Sequence, residues 1–408
     1  MSKAPKLRFK EFSGDWEVSK GNELFTILGG AAFSSKDAKS EGVKWFKIAN
    51  VGINTTDKKE ISYLSSNLLE EYSRYILNKG DITIALTRPI LNSKLKVCIV
   101  DDFFDGSFLN QRVGKLIIKD NANKKFIYYL IQTEGNIRYL ENMIAGTDPP
   151  NLSNNDLLMR EYNVPSKEEQ EKIASFFSLI DDKISLQGEK VEALKDYKKG
   201  MMQKIFRREL RFKDDEGKYY PEWKEKKLGD ICELFAGGTP STNVKEYWDG
   251  DINWITSGIV QNCTIYEKDV KTKITELGLA KSSARLINPD SVLIAMTGAT
   301  CGKIGYLTFE STANQSVMAI EPYTDISKFV YYLLIHNNRY ILKFQAGGAQ
   351  AGINKSSCSN LTFKFPSIPE QEKIADFLSI IDSKIELEEQ KLEQLKEMKK
   401  GLLQQMFV

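Results

Sequence analysis

The chain has 408 residues, 41% of them hydrophobic and 27% charged, with a net charge of +2. That apolar content is too high for a disordered chain and too low for a membrane protein, and no run approaches the ~18 consecutive apolar residues of a transmembrane helix. Five cysteines without a Cys-x-x-Cys pair and a single histidine, His336, leave no metal-type cluster and suit a reducing cytoplasm.

In chain order, the N-terminal MSKAPKLRFKEF is basic but lacks the apolar run of a signal peptide. Short β-rich runs follow at 81–87, 97–100 and 113–118, and then one aromatic helix at 125–139. Asp148-Pro149-Pro150-Asn151 resembles the [DN]-P-P-[YF] motif of DNA amino-methyltransferases. Asn151 replaces the aromatic ring, and no glycine-rich cofactor loop precedes it, so the segment reads as a Pro-rich turn. Residues 165–206 have the period of one long helix, which Ser166 and Glu169 open in capping-box spacing. The glycine pair in AGGTPST (236–242) lacks the lysine of a phosphate loop. Further β-rich runs at 291–296, 304–309 and 316–320 lead to a second aromatic helix at 327–344, where His336 reads as a packing residue. A second long helix covers 366–407.

The strongest signal is an internal repeat. Residues 165–206 and 366–407 align without a gap at an offset of 201, with 24 of 42 positions identical. The preceding segments repeat more loosely: Leu7-Arg8-Phe9-Lys10 as Leu210-Arg211-Phe212-Lys213, Trp16 as Trp223, and Asn110-Gln111 as Asn314-Gln315. Alternating steps of four and three place Ile173, Phe177, Ile180, Ile184, Val191 and Leu194 on one seam of the first helix. Ile374, Leu378, Ile381, Ile385, Leu392 and Leu395 form the matching seam of the second. Both seams are broken by polar residues at the same steps, Gln187 and Lys198 in one, Glu388 and Lys399 in the other. Two matching seams, each ~60 Å long at ~1.5 Å per residue, point to pairing with each other. The helical segments hold 14 basic and 17 acidic residues, which leaves the rest of the chain at +5. The expected plan is 1–164 variable domain, 165–206 helix, 207–365 variable domain and 366–408 helix, in an α/β (α+β) fold. With the helices antiparallel, the halves are related by a pseudo-two-fold, and the N-terminus stands where the second helix would continue: a circular organisation.

The pattern resembles the specificity (S) subunits of type I restriction-modification enzymes. The resemblance covers the full length and rests on P-S-x-x-E-Q-E-K-I-A, I-D-x-K-I and K-K-G-x-x-Q-x-x-F. These are Pro165, Glu169, Gln170, Ile173, Ile180, Asp181, Lys183, Ile184, Lys199, Gly200 and Phe206, repeated from Pro366 to Phe407. It implies a non-catalytic DNA-binding subunit whose two target-recognition domains read the halves of an interrupted site. The implied partners are double-stranded DNA, two methyltransferase (M) subunits and restriction-translocase (R) subunits. S-adenosylmethionine, ATP and Mg are expected on those partners, with no cofactor or metal on this chain and no membrane association. Side chains able to read bases or hold phosphates sit on loops in corresponding places. In the first half these are Arg88, Asn92, Lys94, Lys96, Asn110, Gln111, Arg112, Thr147, Asn151 and Asn154. In the second they are Thr297, Thr300, Lys303, Asn314, Gln315, Gln345, Gln350, Asn354 and Lys355. The halves differ most here (TRPILNSKLK against TGATCGKIG), which implies an asymmetric target. Two alternatives stand beside this reading: a duplicated protein-interaction scaffold that never touches DNA, and a cryptic nuclease or methyltransferase.

Overall fold

The computed structural model describes residues 4–146, 148–344 and 352–407. Thr147, Gln345 and Gln350 lie outside the described residues. The chain divides into two units, 1–188 with 390–408, and 189–389. Each contains one α/β domain, the first half of one long helix and the second half of the other.

In the first unit an antiparallel sheet runs in the order Phe25–Gly29, Val113–Ile118, Ile82–Ala85, Val97–Ile99. Ile82, Ile84, Val97 and Leu116 are buried on it, beneath the helix Lys124–Leu130. A smaller sheet (Tyr63–Leu64, Val43–Phe46, Ser107–Leu109, Ile76–Leu77) has its own core of Trp45, Leu64 and Phe108. The second unit repeats this with five strands, Cys232–Ala236, Val317–Pro322, Val292–Ala295, Ile304–Leu307 and Cys263–Ile265, the last parallel to its neighbour. Its smaller sheet joins Lys273–Ile274, Trp248–Ile255 and Thr312–Ala313.

The aromatic helices differ from expectation, because each is broken into two. Lys124–Leu130 and Glu134–Ile144 are separated where the buried Asn136 amide donates to Ile131 O (2.6 Å), a carbonyl at the end of the first piece. Ser327–His336 and Asn338–Leu342 part at Asn337, whose amide donates to Leu333 O (2.8 Å). Asparagine competes locally for backbone groups and so ends helices that apolar periodicity would continue. His336, at the end of its helix, stacks on Phe206 at 5.0 Å, and burial together with Arg207 lowers its pKa.

The long helices span Lys167–Phe206 and Ile368–Met406. In the first unit Ile173, Phe177 and Ile180 are buried and Ile184 is half-buried, in one cluster with Met406, Phe407 and Leu402. The Asp181–Lys399 ion pair (2.5 Å) and the Phe177–Phe407 ring contact (5.9 Å) run in opposite senses along the chain, so the segments are antiparallel. Leu392 and Leu395 are half-buried in this unit. In the second unit Ile374, Leu378, Ile381 and Ile385 are buried, Leu194 packs on their cluster, and Val191 is buried. Lys198–Asp382 (2.5 Å) and Lys190–Glu388 (2.9 Å) again set an antiparallel register. The first half of each seam serves two surfaces: Phe177 also meets Tyr129 of the domain, at 5.2 Å.

The polar breaks have partners. Lys399 bonds Asp181 and lies 5.2 Å over the Tyr129 ring, while the Tyr129 hydroxyl donates to Asp181 (2.8 Å). Lys198, Asp382 and Tyr332 repeat the arrangement, with 5.1 Å to the ring and 2.7 Å from the hydroxyl. A charge satisfied in one register and stranded in others specifies that register.

The capping box is only half formed. Ser166 Oγ accepts from the Glu169 N–H (3.4 Å), but the Glu169 carboxylate holds Arg8 through two bonds of 2.7 Å. Glu370 holds Arg211 in the same way at 3.1 and 2.9 Å. A buried carboxylate takes a guanidinium fork in preference to one backbone N–H. The N-terminus also completes the second long helix: Leu7 N–H donates to Gln405 O (2.9 Å), where Leu210 N–H donates to Lys204 O (3.1 Å). Among the described residues, no helix is long and apolar enough to cross a membrane.

Candidate nucleic-acid interface

Each unit gathers several loops at one rim of its larger sheet, held by equivalent backbone bonds. In the first unit Leu86 N–H donates to Arg112 O (2.9 Å), and Leu86 O accepts from Leu152 N–H (2.7 Å). In the second, Met296 N–H donates to Ser316 O (2.8 Å), and Met296 O accepts from Ile353 N–H (2.9 Å). Three segments distant in sequence are thereby fixed side by side. Glycine permits a further approach at this edge: a Cβ on Gly30 would lie 2.2 Å from Leu109 O, and one on Gly237 the same distance from Ala313 O. The glycine pair of AGGTPST therefore serves backbone packing.

The first rim carries a β-hairpin, Ile90–Leu91 against Lys94–Leu95. It turns at Asn92 and Ser93, both with positive φ (51° and 54°), as a two-residue type I′ turn requires. Arg88 (φ 47°) at its base donates its N–H to Pro150 O (2.7 Å), and Thr87 Oγ1 donates to Asn151 Oδ1 (2.7 Å). The Asp-Pro-Pro-Asn segment is thus a turn stitched to this hairpin. In the equivalent place the second rim has only the one-turn helix Gly298–Thr300.

The candidate residues divide into two groups. Arg88, Asn92, Lys94, Gln111, Arg112 and Asn151 are exposed on the first rim, and Thr297, Gln315, Asn354 and Lys355 on the second. Others, and two of these exposed ones, Gln315 and Asn354, are turned to structural use. Lys96 is half-buried with Nζ on Ile48 O (3.0 Å), and burial lowers its pKa. Asn110, buried, and Asn314 each accept the N–H two residues on, at 3.1 Å, which makes the repeated Asn-Gln an Asx turn. Asn354 caps its short helix by accepting from Ser357 N–H (2.8 Å), and Gln315 accepts from Thr239. Asn154 and Lys355 lie on short helices, Lys94 in a strand and Thr300 in the one-turn helix, so these four are not loop residues; Thr300 and Lys303 are half-buried. Alternation and polarity alone do not distinguish a capping asparagine from an exposed one. The hairpin is not among the expected elements, nor is Leu91, the strand residue before its turn, 53% exposed, among the expected site residues. An Asn-Ser pair between two short apolar runs, ILNSKL, was the available signal.

The chain as a whole is similar to known proteins. The family described as type I restriction modification DNA specificity domain matches residues 13–196 and 220–397. The type I restriction enzyme MjaVIII specificity subunit of Methanocaldococcus jannaschii is 33% identical over 210 residues, 51% of this chain and 49% of that protein. The matched stretch thus spans about half the length of that relative. The putative MjaX specificity subunit of the same organism is 22% identical over 98% of this chain and 94% of its own. In fold, the chain resembles the S subunit of a type I restriction-modification system from M. genitalium, with a TM-score of 0.63, 17% identity and 99% of each chain covered. The chain belongs to the specificity-subunit family of type I restriction-modification systems and carries its DNA specificity domain twice.

Proposed function

We propose that this chain is the sequence-specific DNA-binding subunit of a type I restriction-modification complex. It reads an asymmetric interrupted site and directs methylation and cleavage by partner subunits. The observation that carries this reading is the pair of rims: one backbone frame built twice, bearing different exposed polar and basic side chains. The chain itself is not catalytic. S-adenosylmethionine, ATP and Mg belong to two M subunits and to R subunits, and the complex works in the cytoplasm on genomic DNA. Support for paired M subunits comes from the long helices, where an outward apolar pair recurs: Leu179 and Leu186 in one unit, Ile380 and Leu387 in the other, each at least half exposed. The seven-residue spacing puts each pair on one helix face, and a contiguous apolar patch outside a core is what a docking surface requires. The test is methylome sequencing after co-expression with the M subunit. One interrupted, asymmetric motif methylated on both strands is expected; no motif would refute the reading.

A further inference from the structure

The first rim holds a leucine outward on a rigid support. Across the hairpin ladder Ile90 opposes Leu95, and this pair packs on the core of the first unit, with Leu95 2% exposed. The next pair, Leu91 and Lys94, faces the opposite way, as strand alternation requires, and both are exposed. The base is fixed three times: Arg88 N–H on Pro150 O (2.7 Å), Lys96 N–H on Pro89 O (2.7 Å) and Lys96 Nζ on Ile48 O (3.0 Å). Leu91 therefore adds little to the stability of the fold, while the backbone around it is held by these three bonds.

A two-stranded ribbon fits the major groove, ~12 Å wide, better than the minor groove at ~6 Å. Among base edges in the major groove, the apolar group is the thymine C5-methyl. A leucine has no hydrogen bond to offer, so on a DNA-facing ribbon its favourable contact is that methyl. We infer, on the basis of the DNA-reading function proposed above, that this hairpin enters the major groove of one half-site and that Leu91 seats on a thymine methyl there. Asn92 and Lys94 flank it as hydrogen-bonding and charged neighbours. The second unit has the Gly298–Thr300 turn at this place, so this discrimination belongs to one half-site only.

The test uses the full-length chain with its M subunit. After the methylome of the unmodified protein has defined the site, duplexes are made with each thymine in turn replaced by deoxyuridine, which removes only the C5-methyl. One replacement should weaken binding about fourfold, the value of burying one methyl-sized group. The same replacement should have no effect on Leu91→Ala, whose methylome should accept other bases at that position and keep the other half-site unchanged. Equal sensitivity of both proteins to every deoxyuridine would overturn the inference. So would a Leu91→Ala protein that methylates less at an unchanged motif, since the leucine would then be touching protein. Absence of any motif with the unmodified protein would refute DNA reading itself, and is distinguishable because it precedes any substitution.

Discussion

The two rims share their fixed points and differ in what is mounted between them. Leu86 and Met296 bond to equivalent pairs of backbone partners, and Asn110 and Asn314 close equivalent turns. Between those points the first unit extends a hairpin with Arg88, Asn92 and Lys94 exposed, while the second makes a single tight turn after Thr297. The difference teaches that the frame is indifferent to its insert. Every bond that defines the frame is made by backbone groups or by a capping asparagine, so the side chains beyond it are free to differ.

The largest test removes the difference altogether. In the first unit the second long helix brings Lys399 to Asp181 and Phe407 to Trp16 and Phe177; Lys198 and Phe206 are the repeats of those residues. A second copy of residues 1–207 therefore contains the helix segment that a half-length chain lacks. Such a chain should form a two-fold dimer by sizing and, with the M subunit, methylate a palindromic interrupted motif. A folded monomer, or an asymmetric motif, would contradict the equivalence of the units.

Next in size are the buried arginine forks. Arg8→Ala should cost about 3–5 kcal/mol by stranding Glu169, which is 1% exposed. Arg211→Ala should cost less, because Trp223 Nε1 still donates to Glu370 (3.2 Å), whereas Trp16 Nε1 is buried with no partner among the described residues. Thermal unfolding of the two variants measures this; equal losses would show that the tryptophan bond contributes nothing. Smaller still, Lys198→Met and Lys399→Met should each cost about 1.5 kcal/mol, the worth of a hydrogen bond to a charged group. Because their surroundings match, the two losses should be alike in denaturant unfolding, and a disparity would show that the units use the pair differently.

The smallest effect concerns DNA. Arg112 on the first rim stands where the second has Ser316. Arg112→Ala should lower the slope of log affinity against log salt by about one, and Ser316→Arg should raise it by about one. Unchanged slopes would place these positions away from phosphate.

Much of the architecture was legible beforehand, because a 42-residue repeat and a heptad seam are patterns of spacing. The strand 113–118 was anticipated at its full bounds, and 82–85 and 292–295 to within two residues at either end. Less legible were the interruptions. Asn136 and Asn337 sit inside aromatic runs whose periodicity continues past them, and only their side-chain bonds to carbonyls show that the helix stops. The exposure of the candidate residues was not legible one by one. Lys94 and Lys96 are two apart on the return arm of one hairpin, yet one is exposed and the other spans inward to Ile48 O.

By itself the sequence determined the duplication, the long helices, their shared seam and the family, since identity at a constant offset and apolar spacing are properties of one dimension. Tertiary structure decided which charges pair and which side chains remain outside. Lys399 finds Asp181, and Arg8 finds Glu169, only because antiparallel packing brings together residues far apart along the chain. Burying a carboxylate or an ammonium is unfavourable until such a partner is present, so the three-dimensional arrangement selects the partner.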